Sequence, residues 1–231
     1  MRVYILGDSI SIQYGPHLEA QLKGKMDYAR KHAEDEALMN LDEPGDANGG
    51  DSSRVLDFLR FSAKNGTINA DLLLLNCGLH DIKTDPASGT RQVPIDQYRA
   101  NLQEIIQTVE GMPPGLVWIR TTPCDEAVHN YEGITFHRFA ADCDAYNGVA
   151  DDVMQQAGVP IIDLHRFTRD LGKDLFRDHV HFHPHVQASQ AAFLADWLTN
   201  PANWKPAMDG KTRRAHKQPQ QNDSISDQAC G

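Results

Sequence analysis

The sequence is short of aromatic residues, with 3 Trp, 6 Tyr and 8 Phe in 231 positions. Its core must therefore come mostly from aliphatic side chains. Cysteine is scarce as well. Cys77, Cys124, Cys143 and Cys230 show neither metal-ligand spacing nor the density of a disulfide framework. They read as reduced thiols, which favours a cytoplasmic location. No stretch approaches the ~18 apolar residues of a membrane-spanning helix. The chain opens on a strand-like run rather than a basic segment followed by an apolar one, so no secretory signal is read. Basic residues are outnumbered, 22 Lys and Arg against 32 Asp and Glu, for a net charge of -10. That balance argues against broad contact with nucleic acid or anionic membrane. Gly49-Gly50 is too short for a phosphate-binding loop and lacks the following lysine, and no cofactor is implied.

What is present is an alternation of strand and helix signals. Val3–Leu6, Leu72–Leu75, Leu116–Ile119 and Val159–Asp163 are short, mostly apolar runs, as expected for strands buried on both faces. Helical periodicity follows each: around Ser11–Leu18, over 95–109 with Tyr98, Leu102, Ile105 and Ile106 on one face, over 136–157, and over 186–198. Residues 23–48 read as a long polar connection, partly helical, with at most one further strand. A helix capped from Asp51-Ser52-Ser53 carries Val55, Leu56 and Leu59. Residues 167–177 read as connecting structure. This order predicts an α/β fold with a mainly parallel sheet and helices on both faces. The folded domain is placed at 1–204. The polar stretch 205–231 is expected to stay disordered.

Two stretches carry the chemistry. Gly7-Asp8-Ser9 follows the first strand directly and opens a helix. A hydroxyl there would stand at the carboxyl edge of the sheet, beside free backbone N–H groups. The bland alternative is that Ser9 merely caps the helix. Near the end lies Asp178-His179-Val180-His181. The three-residue spacing lets Asp178 fold back onto Nδ1–H of His181 and leaves Nε2 to face Ser9.

These blocks resemble those of the SGNH, or GDSL-type, hydrolases. The resemblance rests on Gly7-Asp8-Ser9-Ile10, Asn48-Gly49-Gly50-Asp51, Gly78-Leu79-His80-Asp81 and Asp178-x-x-His181, in that order, with weaker echoes at Thr121-Thr122-Pro123 and Tyr146-Asn147. It implies a three-layer α/β/α sandwich with a flavodoxin-like sheet. It also implies Ser9 as nucleophile, His181 as general base and Asp178 as the residue that orients it. The oxyanion hole would consist of the Ser9 N–H, the Gly50 N–H and a side chain from the third block. Gly50 is preferred to Gly49 because an Asp follows it. Where the family has Asn, this chain has His80. Histidine is expected to donate in its place, from a different reach and with pH-dependent strength. Asn76 as the donor, or no third donor at all, are the other readings.

The alternating His179, His181, His183 and His185 could suggest a metal. The triad already claims His181 and Pro184 interrupts a strand, so no metal is assigned. Asp8 and Asp81 read as turn and cap residues, and Cys77 as packing. Asn76, Arg120 and Tyr131 are candidate substrate contacts, although an ordinary ion pair suits Arg120 better. The leading function is a serine hydrolase of carboxylic esters with small acyl groups such as acetyl, its partner a small-molecule or carbohydrate ester. A non-catalytic binding domain and an acyltransferase using the same triad stand as alternatives. The oligomeric state is not legible.

Overall fold

The computed structural model describes residues 1–31, 34–41 and 45–215. Five parallel strands form one sheet: β1 (Arg2–Leu6), β2 (Asp27–Arg30), β3 (Leu72–Leu75), β4 (Gly115–Ile119) and β5 (Ile161–Ile162). Their spatial order is β2-β1-β3-β4-β5, the flavodoxin-like order. Val3 pairs with Leu72 and Leu6 with Leu75 in register. Leu72 in turn pairs with Gly115 and Leu75 with Trp118. Val3–Leu6 and all of β3 are buried, because helices cover both sides. That is why these strands show no polar alternation.

Helices α1 (Ser9–Leu22), α2 (Glu34–Met39), α3 (Ser52–Asn65), α4 (Ile95–Glu110), α5 (Glu126–His129), α6 (Ala140–Gln156), α7 (Leu164–Asp170), α8 (Pro184–Thr199) and α9 (Pro201–Ala215) complete the described fold. α1 packs on α8, which also meets α7 and α9; α3, α4 and α6 pack in succession. The architecture is a three-layer α/β/α sandwich. Among the described residues, no helix is long and apolar enough to cross a membrane.

The structure differs from the sequence reading in three elements. The connection 23–48 contains a clear edge strand, β2, whose residues are exposed or half-buried. An edge strand with one partner needs no continuous apolar run. α7 occupies part of what read as connection. α9 crosses residue 204, the expected limit of the domain. Trp204 and Met208 pack on the core, and Trp204 Nε1 donates to Leu198 O at 2.8 Å. A Cβ on Gly115 would come within 3.2 Å of the Ala207 backbone, so β4 and α9 are in close contact. Residues 216–231 lie outside the described residues.

The connections leave β1 and β3 in opposite directions along the sheet, to β2 on one side and to β4 on the other. That is the topological switch point at which doubly wound sheets open a crevice. At the end of β3, Gly78 has φ +152°, and a Cβ there would lie 2.3 Å from Thr121 Oγ1. Only glycine lets the chain turn so close under Thr121.

Candidate active site

Ser9 is the first residue of α1, but it is not the cap. Asp8 takes that role, its carboxylate accepting the Ile10 N–H at 3.0 Å, while its carbonyl accepts the Ser11 hydroxyl at 2.6 Å. Burial pushes the Asp8 carboxyl above its usual range, partly offset by Ile10 N–H and the charge of Arg138. With the cap supplied by its neighbour, the Ser9 hydroxyl is free for another partner. Its Oγ lies 3.0 Å from His181 Nε2.

His181 is held by a tight loop. Phe176 and Phe182 form an antiparallel bridge, Arg177 N–H donates to His181 O at 2.7 Å and His183 N–H to Leu175 O at 2.9 Å. At its tip Asp178 accepts the N–H groups of Val180 (3.1 Å) and His181 (2.8 Å). Its other oxygen faces His181 Nδ1 at 3.0 Å. Burial opposes ionisation of Asp178. The bonds from His181 and Val180 outweigh it and hold the carboxyl well below the usual carboxylate range. An ionised Asp178 fixes the proton of His181 on Nδ1 and turns Nε2 to Ser9 as an acceptor.

Gln13 ties this loop to α1. Its Oε1 accepts Phe182 N–H at 3.2 Å and its Nε2 donates to Phe182 O at 3.4 Å. Gln13 lies one turn beyond Ser9 on the same helix face. Ser9 and the residue beside His181 therefore hang from one rigid element. The sequence reading missed Gln13 because nothing local marks a partner 169 residues away.

The second and third blocks meet at Asn48 and His80. Gly49 N–H donates to Gly7 O at 2.8 Å. Gly50, at φ +77°, donates its N–H to Asn48 Oδ1 at 2.7 Å. The expected Gly50 donor is thus committed to a side chain, because the Asx turn brings Oδ1 back onto it. That bond also orients the Asn48 amide, so its Nδ2 faces His80 Nε2 at 3.3 Å. Amide nitrogen only donates. His80 Nε2 must accept, and the ring proton sits on Nδ1. Burial, then Lys83, Arg138, Arg54 and His181, push the His80 pKa well below its usual value, so the ring stays neutral. Nδ1 is bonded to Cγ, as is the amide nitrogen of asparagine. In this tautomer Nδ1–H stands at the same number of bonds from the backbone as the amide nitrogen of an asparagine.

The profile of the GDSL-like Lipase/Acylhydrolase family matches residues 5–191, a span that holds every one of these groups. The chain belongs to this family. Solved structures with the same fold include a lipase/acylhydrolase from Enterococcus faecalis, 15% identical with TM-score 0.63, the alignment covering 86% of this chain and 95% of that one. An acetyl xylan esterase is 16% identical with TM-score 0.61 and coverage of 85% and 98%. A carbohydrate acetylesterase from Sinorhizobium meliloti is 16% identical with TM-score 0.59 and coverage of 85% and 97%. No curated protein matches the sequence.

The remaining candidates of this GDSL-like acylhydrolase divide sharply. Tyr131 lines the same cleft as Ser9, Asn48, His80 and His181. Asn76 does not offer its amide, which donates to Ile119 O (2.9 Å) and Thr121 Oγ1 (3.2 Å). Arg120 is held between Asp151 (3.2 Å) and Asp163 (2.8 Å). Arg91 pairs with Asp142. Asp81 accepts the Ser52 N–H on both oxygens, at 2.9 and 3.1 Å; burial pushes it up to about 7, against those bonds. His179 Nδ1 lies 2.9 Å from Nδ1 of the fully buried His129. Asp178, His179 and His181 offer ligand atoms within 4.8 Å of one another, but a cation there would take the imidazole from Ser9.

Proposed function

We propose that the protein is a serine hydrolase that cleaves carboxylic esters through an acyl-enzyme. The observation that carries this reading is the 3.0 Å approach of Ser9 Oγ to His181 Nε2, with the Asp178 carboxylate 3.0 Å from Nδ1 behind it. Ser9 Oγ attacks the ester carbonyl as Nε2 takes its proton, and ionised Asp178 stabilises the imidazolium that forms. The oxyanion accepts from the Ser9 N–H at the start of α1 and from the Nδ1–H of His80. Collapse expels the alkoxide, which His181 protonates. A water deprotonated by the same ring then attacks the acyl-serine and releases the acid. His80 takes the place of the family's third-block asparagine because Asn48 sets its tautomer.

The acyl group is small, acetyl being the best fit, and the alcohol is polar, a carbohydrate in the leading case. A cleft of about 240 Å³ lined by Asn48, His80 and Tyr131 supports this, as do the acetyl xylan and carbohydrate acetylesterase names of two structural relatives. A cytoplasmic setting, suited to the free thiols of Cys77, Cys124 and Cys143, and the absence of nucleic-acid or membrane partners belong to the same reading. A fluorophosphonate probe should label the wild-type protein on Ser9. Ser9→Ala should abolish both labelling and turnover of 4-nitrophenyl acetate, and retained turnover in that variant would sink the proposal. A strong preference for the octanoyl over the acetyl ester would overturn the assignment of a small acyl group.

A further inference from the structure

Three metal-ligating side chains meet at the tip of the loop that carries His181. Asp178, His179 and His181 each present one ligand atom, and those atoms lie within 4.8 Å of one another. Zinc held by two imidazoles and a carboxylate, at about 2.0–2.2 Å, keeps its ligand atoms about 3.4 Å apart. Modest shifts of the side chains would close such a site. Asp178 and His179 are half-buried, which leaves them room to shift, while His181 is buried and keeps its place. Some contacts must be exchanged. Arg177 Nη2 approaches Asp178 Oδ2 at 3.4 Å from a half-exposed side chain, an ion pair of little energy. A metal would also draw the His179 ring from the contacts it now makes, the 2.9 Å approach to His129 Nδ1 among them. Lys83 and Arg138 line the same cleft and oppose an incoming cation. The affinity therefore falls below that of a structural zinc site.

We propose that Asp178, His179 and His181 form a reversible site for Zn²⁺, and that its occupation switches Ser9 off. The metal site stands on the geometry of the loop, and its effect on turnover rests on the esterase reading. Either nitrogen of His181 can serve the metal, and either choice disables the base. A metal on Nε2 replaces the 3.0 Å contact with Ser9 Oγ. A metal on Nδ1 needs the lone pair there, so the ring proton moves to Nε2. That nitrogen then donates to Ser9 Oγ and no longer accepts from it. Two imidazoles and one carboxylate suit Zn²⁺ and pass over Mg²⁺ and Ca²⁺, which take all-oxygen sites.

The test titrates the full chain, freed of metal by a chelator, with ZnCl₂ in a calorimeter and follows 4-nitrophenyl acetate turnover in parallel. One Zn²⁺ should bind per chain with a Kd on the order of a micromolar. Turnover should fall over the same range and return with EDTA, while Mg²⁺ and Ca²⁺ leave it unchanged. His179→Gln keeps a polar side chain but removes a ligand. Assayed with chelator, it should turn over and react with the fluorophosphonate within a few-fold of the parent. Its zinc affinity and its half-inhibiting zinc concentration should both weaken at least about tenfold. No zinc binding by the parent at about a hundred times the expected Kd, or equal zinc affinity in His179→Gln and parent, would overturn the site. Bound zinc with undiminished turnover would overturn the switch. A parent with neither turnover nor fluorophosphonate labelling would remove the esterase reading, and the calorimetry would still decide the metal site.

Discussion

Two polar clusters stand at the carboxyl edge of the same sheet, built from similar residue types. One gathers Ser9, Asn48, His80 and His181 where β1 and β3 diverge. The other gathers Asn76, Thr121, Asn147 and His165 beyond β3 and β4. In the second, Thr121 N–H donates to Asn147 Oδ1, and the Asn147 amide donates to Thr121 O, both at 2.9 Å. Thr121 Oγ1 donates to Cys77 O at 2.9 Å. His165 Nδ1 lies 2.9 Å from Thr121 O and 3.1 Å from Asn147 Nδ2. That cluster bonds mostly inward, with His165 Nε2 reaching out to Asp144 at 3.4 Å. The first keeps donors and acceptors aimed at a cleft. Histidine, asparagine and a hydroxyl at a strand end make a structural clasp when their hydrogen bonds are mostly internal, and a reactive site when some are left over.

If that contrast holds, substitutions in the open cluster change turnover and those in the closed one change stability. The largest effect belongs to Asp178→Asn, expected to lower kcat about 10³–10⁴-fold through the wrong His181 tautomer. Its melting temperature should barely move, because the Asn Oδ1 still accepts the Val180 and His181 N–H groups; a rate near wild type would break the contrast. His80→Ala should cost about 10²–10³-fold in kcat, and His80→Asn should restore most of it. An alanine variant as fast as the parent would show that the third donor lies elsewhere.

For the closed cluster, Asn147→Ala should cost about 2–3 kcal/mol in denaturant unfolding, since it strands buried partners, with kcat within a few-fold of wild type. Gln13→Ala should lower kcat about tenfold by loosening Phe182 beside the base, with the pH profile unchanged in shape. An effect seen only as pH changes lies next to His80. Asp81 titrates near 7 in the fold against 3.8 ordinarily, so the native state keeps a proton that the unfolded chain has lost. Its contribution is full below the unfolded value and declines as pH rises from about 4 to about 7. Asp81→Asn should remove this slope, worth on the order of ten degrees in melting temperature at the upper end; parallel curves for the two proteins would refute it.

The open cluster was legible in part because its members sit in short local patterns. Gly7-Asp8-Ser9 and Asp178-x-x-His181 each bring their own turn and cap, so local chemistry announces them. β1, β3 and β4 were legible because burial on both faces forces apolar runs. β2 escaped because an edge strand is half exposed. The second half of α9 escaped because its hold on the core rests on a few large residues, Trp204 and Met208, spaced along an otherwise polar helix. Asn48 and Gln13 are polar residues whose roles exist only once β1, β3 and the loop before α8 have come together. The bond from Gly50 N–H to Asn48 Oδ1 went unread for the same reason, since it depends on where Asn48 points.

The bond between Ser9 and His181 spans 172 residues of chain. During synthesis the serine leaves the ribosome long before its base exists. A nascent polypeptide that has already paired β1 with β3 still carries only an ordinary alcohol. On the proposed mechanism the partner of Ser9 arrives only with the last loop, so a chain interrupted anywhere before residue 181 would lack its base however well its sheet has formed.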